Sequence, residues 1–179
     1  MLSIPEIPGD ADSLEAALLY ADAGLYVGPA ERRSKHPGSV LGDGWQHQTS
    51  CDVEQIAAWF AGTDHGVFIH AGRSGLVIFD VDYPDRLPGV LAKHLELAPY
   101  QSSRPDVARR GHYLFAQPAG RVIGNGGGSL GSGWGQVRGL NGVIIAAPSV
   151  HQGGGEYRWI RHGDVPVLPD ALAEQLPDG

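Results

Sequence analysis

Asp80 and Asp82 stand one residue apart at the end of an apolar run, Leu76-Val77-Ile78-Phe79-Asp80-Val81-Asp82. The run has the length and β-branched content of a buried strand. Alternate side chains of a strand share a face, so the two carboxylates point the same way, about 7 Å apart along the chain. Side by side they repel. That cost falls when a divalent cation sits between them or when one takes up a proton. Val81 points to the opposite face and is free to enter the core. A D-x-D pair alone also fits glycosyl transfer, nucleotidyl transfer, nuclease chemistry or a solvated turn. The apolar strand before it favours metal binding.

Three further clusters lie near strand ends. Arg110-Gly111-His112 places a histidine at the start of a strand beside arginines, which suits phosphate contact. Val137-Arg138-Gly139-Leu140-Asn141-Gly142 offers Arg138 to a phosphate or a carboxylate, and its glycines also suit a plain hairpin turn. Ala147-Pro148-Ser149-Val150-His151 brings a serine and a histidine together. A hydrolytic Ser–His pair is disfavoured there, because no G-x-S-x-G elbow is present and no acid is placed to orient His151.

Charge is unevenly distributed. The 179 residues carry a net charge of −7, which argues against coating nucleic acid by bulk electrostatics. Residues 101–163 nevertheless hold seven arginines against Asp106 and Glu156. Such a segment on an acidic chain points to a focused phosphate site or to a basic surface. The N-terminus, Met1 to Asp12, has three acidic and no basic residues, unlike a secretory signal. No apolar run reaches membrane-spanning length. Cys51 has no cysteine partner in the chain, in keeping with a reducing compartment, and reads as an inert residue beside a helix start.

The elements that must position these residues follow from periodicity and breakers. Ser13–Ala23 has Leu14, Ala17, Leu18 and Ala21 at helical spacing, with Asp12 or Ser13 as N-cap and Gly24 as stop. Leu25–Val27 reads as a short strand before a polar loop, 28–49. A second helix spans about Asp52–Ala61, capped by Ser50 or Asp52, with Ile56, Trp59 and Phe60 on its apolar face. Val67–His70 and Leu76–Val81 read as strands joined by hairpin chemistry at Gly72–Gly75. A weaker helix over 85–97, strands at 100–104 and 112–115, further strands at 136–138 and 143–146, a last strand at 157–160 and a short helix at 169–176 complete the pattern. Gly124–Gly135 has seven glycines and reads as a loop, possible to move and unable to pack a core. Helices and strands alternate early and hairpins dominate later, so the expected class is α+β, as one domain over 1–179 with its core at about 13–162.

Taken in order, these pieces resemble the bifunctional DNA primase/polymerase N-terminal (prim-pol) family of the archaeo-eukaryotic primase superfamily, from about Ala16 to Trp159. Lys35-x-Pro37, Gly44-Trp45 and Ile56-Ala57-Ala58-Trp59 are similar to the family's opening. Gly72 to Asp82 resembles its first motif, Gly111-His112-Tyr113-Leu114-Phe115 its second, and Val137-Arg138-Gly139 to Pro148-Ser149-Val150-His151 its third region and tail. The resemblance implies a small N-terminal α/β module with a mixed sheet beside an RNA-recognition-like sheet, and an active site in the cleft between. It implies template-directed synthesis from nucleoside triphosphates on a single-stranded DNA template and primer. Asp80 and Asp82 would hold Mg²⁺ or Mn²⁺, and His112 would contact the triphosphate. Arg110, Arg138, Ser149 and His151 are the further nucleotide-binding candidates. A cytoplasmic replication protein of a phage, plasmid or bacterium is expected, with a helicase domain or protein as a possible partner.

One position departs from the family. An aspartate is expected two residues before the arginine of the third motif, and Gln136 stands there. Its amide oxygen brings no charge. Glu156 or Asp106 could substitute, two aspartates could suffice, or the domain could bind nucleotide or DNA with weakened catalysis. A nuclease or glycosyltransferase would explain the aspartates but not His112 or Pro148-Ser149.

Overall fold

In the computed structural model, which describes residues 1–179, ten strands and five α-helices alternate along the chain. In order they are β1 (Ser3–Ile4), α1 (Ser13–Asp22), β2 (Val27–Ala30), α2 (Gly38–Leu41), α3 (Val53–Phe60), β3 (Gly66–His70), β4 (Leu76–Val81), α4 (Gly89–Leu95), β5 (Tyr100–Ser102), β6 (Gly111–Ala116), β7 (Gly135–Arg138), β8 (Val143–Ala146), β9 (Arg158–Arg161), β10 (Gly163–Asp164) and α5 (Asp170–Ala173). The class is mixed α+β, as the sequence implied. The caps of the first two long helices are aspartates. Asp12 accepts from the Glu15 N–H at 2.8 Å and Asp52 from the Gln55 N–H at 2.9 Å, each satisfying an otherwise orphaned donor.

The strands form a five-stranded sheet, β7-β4-β6-β5-β9, a three-stranded sheet, β2-β3-β8, and a β1-β10 pair. All pairings within them are antiparallel. The small sheet is therefore not mixed, and it is not purely N-terminal, because β8 comes from the second half of the chain. Neither glycine turn is a hairpin. Gly72–Gly75 joins β3 of the small sheet to β4 of the large one, and Gly139–Gly142 joins β7 of the large sheet to β8 of the small one. The reason lies in burial. β3 is buried along its whole length and β4 nearly so, and each is a continuous apolar run that takes partners on both edges. The two corners meet: the Ala71 N–H donates to the Gly142 carbonyl at 2.8 Å. A side chain at Gly72 would run into the Leu140 carbonyl, so the close approach requires glycine there.

The large sheet separates two cores. On one face Val77, Phe79, Val81, Tyr113, Phe115 and Val137 pack with Leu91 and Leu95 of α4 and Leu172 of α5. On the other face Leu76, Ile78 and Leu114 pack against Ala16, Tyr20, Ile56 and Phe60 of α1 and α3, with Val67 and Ile69 of β3. The Gly124–Gly135 segment contributes to the first of these cores. Leu130 and Trp134 within it are buried, and the Trp134 indole N–H donates to the Leu130 carbonyl at 3.0 Å. Glycine-rich backbone wraps two large side chains that supply the packing the glycines lack.

Candidate active site

The register of the large sheet places the chemical residues in one cross-strand row. Asp80 lies opposite His112 on β6 and opposite Gln136 on β7, and His112 lies opposite Gln101 on β5. Directly paired residues share a face. Asp82 and Arg110 extend the row at the strand ends, and Arg138 lies two residues from Gln136 on the same face. The apolar half of this face is covered by the small module. Its polar half opens into a cleft of about 360 Å³.

Asp80, Asp82, Arg110, His112, Arg138 and His151 all line that cleft, as do Lys35, Trp45, Ser103, Asn125, Asn141 and Tyr157. Positive and negative groups alternate. Arg138 reaches Asp80 Oδ2 at 3.4 Å, His112 Nε2 lies 3.6 Å from Asp80 Oδ1, and Arg110 lies 3.6 Å from Asp82 Oδ1. These contacts are loose for charge-assisted hydrogen bonds. The Nε–H groups of Arg110 and Arg138 are buried without a partner. The rest of each guanidinium is part-exposed where the side chain lines the cleft, and such groups are suited to an anion that the protein itself does not provide.

Gly111 gives β6 its place in the row. It has φ +140°, and a Cβ there would strike the Gln101 carbonyl, so only glycine lets β6 close on β5 beside His112. The backbone N–H groups of Asp82 and Tyr83 both donate to the Trp134 carbonyl, at 2.9 and 3.0 Å. The glycine-rich segment thus fixes the end of β4 and the second carboxylate.

Protonation follows from burial and neighbouring charge. Burial raises the Asp82 pKa and the Asp80 carboxylate adds to the shift, against Arg110, Lys35 and Arg138. Burial lowers that of His112, outweighing Asp80, and Arg138 and Lys35 push the same way. His151 is lowered to about 4 by burial, helped by Lys35, Arg104 and Arg110. Both imidazoles are therefore neutral at neutral pH. The His151 Nδ1 accepts from the Gly153 N–H at 2.8 Å, leaving its proton on Nε2. The Tyr157 ring lies 6.0 Å from His112, nearly parallel at 11°, and 5.3 Å from His151.

Ser149 does not face the cleft. Its hydroxyl accepts from the Val67 N–H at 2.9 Å and donates to the Val67 carbonyl at 3.2 Å, so it braces β3. Of the nucleotide-binding candidates read from the sequence, Ser149 is the one outside the cleft lining. Asp106 pairs with Arg104 at 3.4 Å, and neither Asp106 nor Glu156 lines the cleft. Gln136 is exposed on the edge strand beside Asp80.

The arginine-rich segment divides by task. Arg109 pairs with Asp85, Arg121 with Asp178 and two carbonyls, and Arg161 with the carbonyls of Ala98 and Leu95. Arg110 and Arg138 line the cleft. The basic surplus is thus largely structural, with two members aimed at the site.

The sequence profile described as "Bifunctional DNA primase/polymerase, N-terminal" matches residues 17–171. The chain belongs to the Prim-Pol family. No curated protein sequence matches it. Prim-Pol membership implies primase/polymerase chemistry, with nucleotide and DNA substrates and a divalent metal. No group of three or more His, Cys, Asp or Glu side chains converges as a metal cage. Two carboxylates still fit Mg²⁺ or Mn²⁺, because such cations are commonly held by one or two carboxylates with substrate phosphates completing the shell. No helix is long and apolar enough to cross a membrane.

Contributors to this Prim-Pol cleft that are missing from the set of site residues read from the sequence include Lys35, Gln101, Tyr157 and the Trp134 carbonyl. Lys35 had a signal in the Lys35-x-Pro37 match. The others depend on pairings distant in sequence.

Proposed function

We propose that this domain performs template-directed nucleotidyl transfer in DNA replication, joining nucleoside triphosphates to a primer on a single-stranded DNA template. The observation that carries this reading is the row itself: two carboxylates flanked by Arg110 and Arg138, all four lining one cleft.

Asp80 and Asp82 hold the divalent metal. When bound, Mg²⁺ or Mn²⁺ supplies Lewis-acid activation of the primer 3′-hydroxyl and charge stabilisation at the leaving pyrophosphate. Arg110, Arg138 and Lys35 face the triphosphate and offset its charge. Neutral His112 and His151 each turn an Nε2–H donor to phosphate oxygens without adding a charge that would compete for the aspartates. Tyr157 packs between the two imidazoles and limits their rotation. Replacing both aspartates, Asp80→Ala with Asp82→Ala, abolishes template-dependent extension in Mg²⁺ or Mn²⁺ while leaving the fold intact. Equal extension by the native and doubly substituted proteins refutes the metal role.

Gln136 supports a second reading, a nucleotide- or DNA-binding module with weakened catalysis. It sits opposite Asp80, where a third carboxylate would add charge to the site. On this reading Gln136→Asp raises synthesis strongly, and the native protein binds triphosphate with little product. A Gln136→Asp protein with unchanged or lower synthesis speaks for a sufficient two-aspartate site.

A further inference from the structure

We propose that Gln101 is a positioning residue that holds the His112 ring with its proton on Nε2 and ties that ring to the opposite wall of the cleft. Gln101 is fully buried on β5, directly opposite His112. A buried amide has two donors and an acceptor to satisfy, and here every group has a partner. Its Oε1 accepts from the Ala147 N–H at 2.8 Å. Its Nε2 donates to the Ile145 carbonyl at 2.8 Å and lies 2.8 Å from His112 Nδ1.

The two backbone partners have opposite polarity and are fixed in space. Rotating the amide by half a turn would set oxygen against the Ile145 carbonyl and nitrogen against the Ala147 N–H. The orientation is therefore determined. An amide nitrogen has no lone pair to offer, so His112 Nδ1 must be the acceptor. The ring proton then resides on Nε2, the nitrogen 3.6 Å from Asp80 Oδ1. The other tautomer would aim a lone pair at the carboxylate and at any phosphate entering the cleft.

Ile145 belongs to β8 of the small sheet and Ala147 follows it, whereas His112 and Gln101 belong to the large sheet. One side chain thus joins the two walls and sets the polarity of the ring between them. The same cluster is tied from behind, where the Tyr20 hydroxyl donates to the Ala147 carbonyl at 2.6 Å and accepts from the Trp159 indole N–H at 2.9 Å.

The consequence for triphosphate binding rests on the nucleotidyl-transfer reading; the tautomer does not. The experiment is long-range ¹H–¹⁵N correlation spectroscopy of His112 in the native protein, Gln101→Glu and Gln101→Met, with His112→Ala for assignment. Nucleotide is absent during these spectra. The native ring is expected to be neutral with its proton on Nε2. Gln101→Glu presents an acceptor to Nδ1 and draws a proton there. Gln101→Met, similar in size but without a donor, leaves a mixture of tautomers. Both substitutions weaken binding of a fluorescent triphosphate roughly 10- to 100-fold, the range for losing a hydrogen bond to a charged group. A native ring protonated on Nδ1 overturns the proposal, as does an unchanged Nε2–H tautomer in a folded Gln101→Glu or Gln101→Met protein. If neither substituted protein folds, the native spectrum alone decides. A native Nε2–H ring in a protein that binds no triphosphate supports the tautomer lock and refutes the functional reading.

Discussion

Arg138→Met separates two jobs that the arginine could do, because they predict effects of different size and sign. The guanidinium lies 3.4 Å from Asp80 with its side chain 35% exposed. At that distance the attraction is about 1 kcal/mol in water and about 5 kcal/mol at an effective dielectric constant near 20. Screening and side-chain entropy reduce the net contribution of such a part-exposed pair to between 0 and about 1 kcal/mol. Melting temperature should therefore fall by no more than about 4 °C. Triphosphate binding should suffer far more. Losing one hydrogen bond from a charged donor removes about 1.5–3 kcal/mol, or roughly 10- to 100-fold in affinity. Metal binding without nucleotide should move the other way. Asp80 loses a competing cation, and Mn²⁺ binds a few-fold tighter, within the roughly 1 kcal/mol that the pair is worth. Fluorescence polarisation with a labelled non-hydrolysable triphosphate, titration of free Mn²⁺ by electron paramagnetic resonance, and thermal melting read the three effects. Unchanged triphosphate affinity, or Mn²⁺ binding weaker than in the native protein, refutes the assignment of Arg138 to the substrate phosphates. A fall in melting temperature well beyond the expected limit means that the pair with Asp80 is a structural element.

Three further outcomes follow from the geometry. Ser149→Ala strips both hydrogen bonds from Val67 and should destabilise the fold by about 1–3 kcal/mol while triphosphate affinity is unaltered; chemical denaturation and binding titration check the two halves. Trp134→Ala should cost about 3–5 kcal/mol by emptying a core position and should also loosen Asp82, whereas a freely moving glycine-rich loop would register almost no change in melting temperature. His70 and His151 are both held near 4, mainly by burial. Since the unfolded chain then binds more protons between about 6.5 and 4, stability should be full above about pH 6.5 and fall toward pH 4, by up to about 1.4 kcal/mol per pH unit for each histidine; denaturant midpoints that stay level over this window would contradict it.

Much of the site was visible in local pattern. An apolar run ending in D-x-D is a strand whose alternate carboxylates share a face, and β4 has that geometry. His112 after Gly111 reads as the first side chain of a strand, and antiparallel register then sets it against Asp80. Partner choice was not visible. Gly72–Gly75 and Gly139–Gly142 have the composition of hairpin turns, and a sharp corner between two sheets demands the same backbone freedom. What separates them is which edge each strand finds, and that is decided by residues far away in sequence. Gln101 had no signal at all, since an isolated glutamine in a short strand looks like a solvent-facing residue until both walls of the cleft are in place. Trp134 was obscured by its glycine neighbours, and Ser149 by its proximity to His151.

The crossing corners have a consequence for how the molecule can be divided. The chain leaves the small sheet after β3, returns to it at β8 and departs again for β9. Neither sheet is therefore an inheritable unit that could be excised, swapped or expressed alone: a fragment ending at the β3–β4 corner lacks the strand that completes the small sheet, and one beginning there carries β8 with nothing to pair against. Cleavage at that corner should yield two halves that reconstitute each other by complementation, with the cleft forming only when both are present. A domain boundary drawn at the glycines of this corner would part β3 from β8, the strand it pairs with in the small sheet.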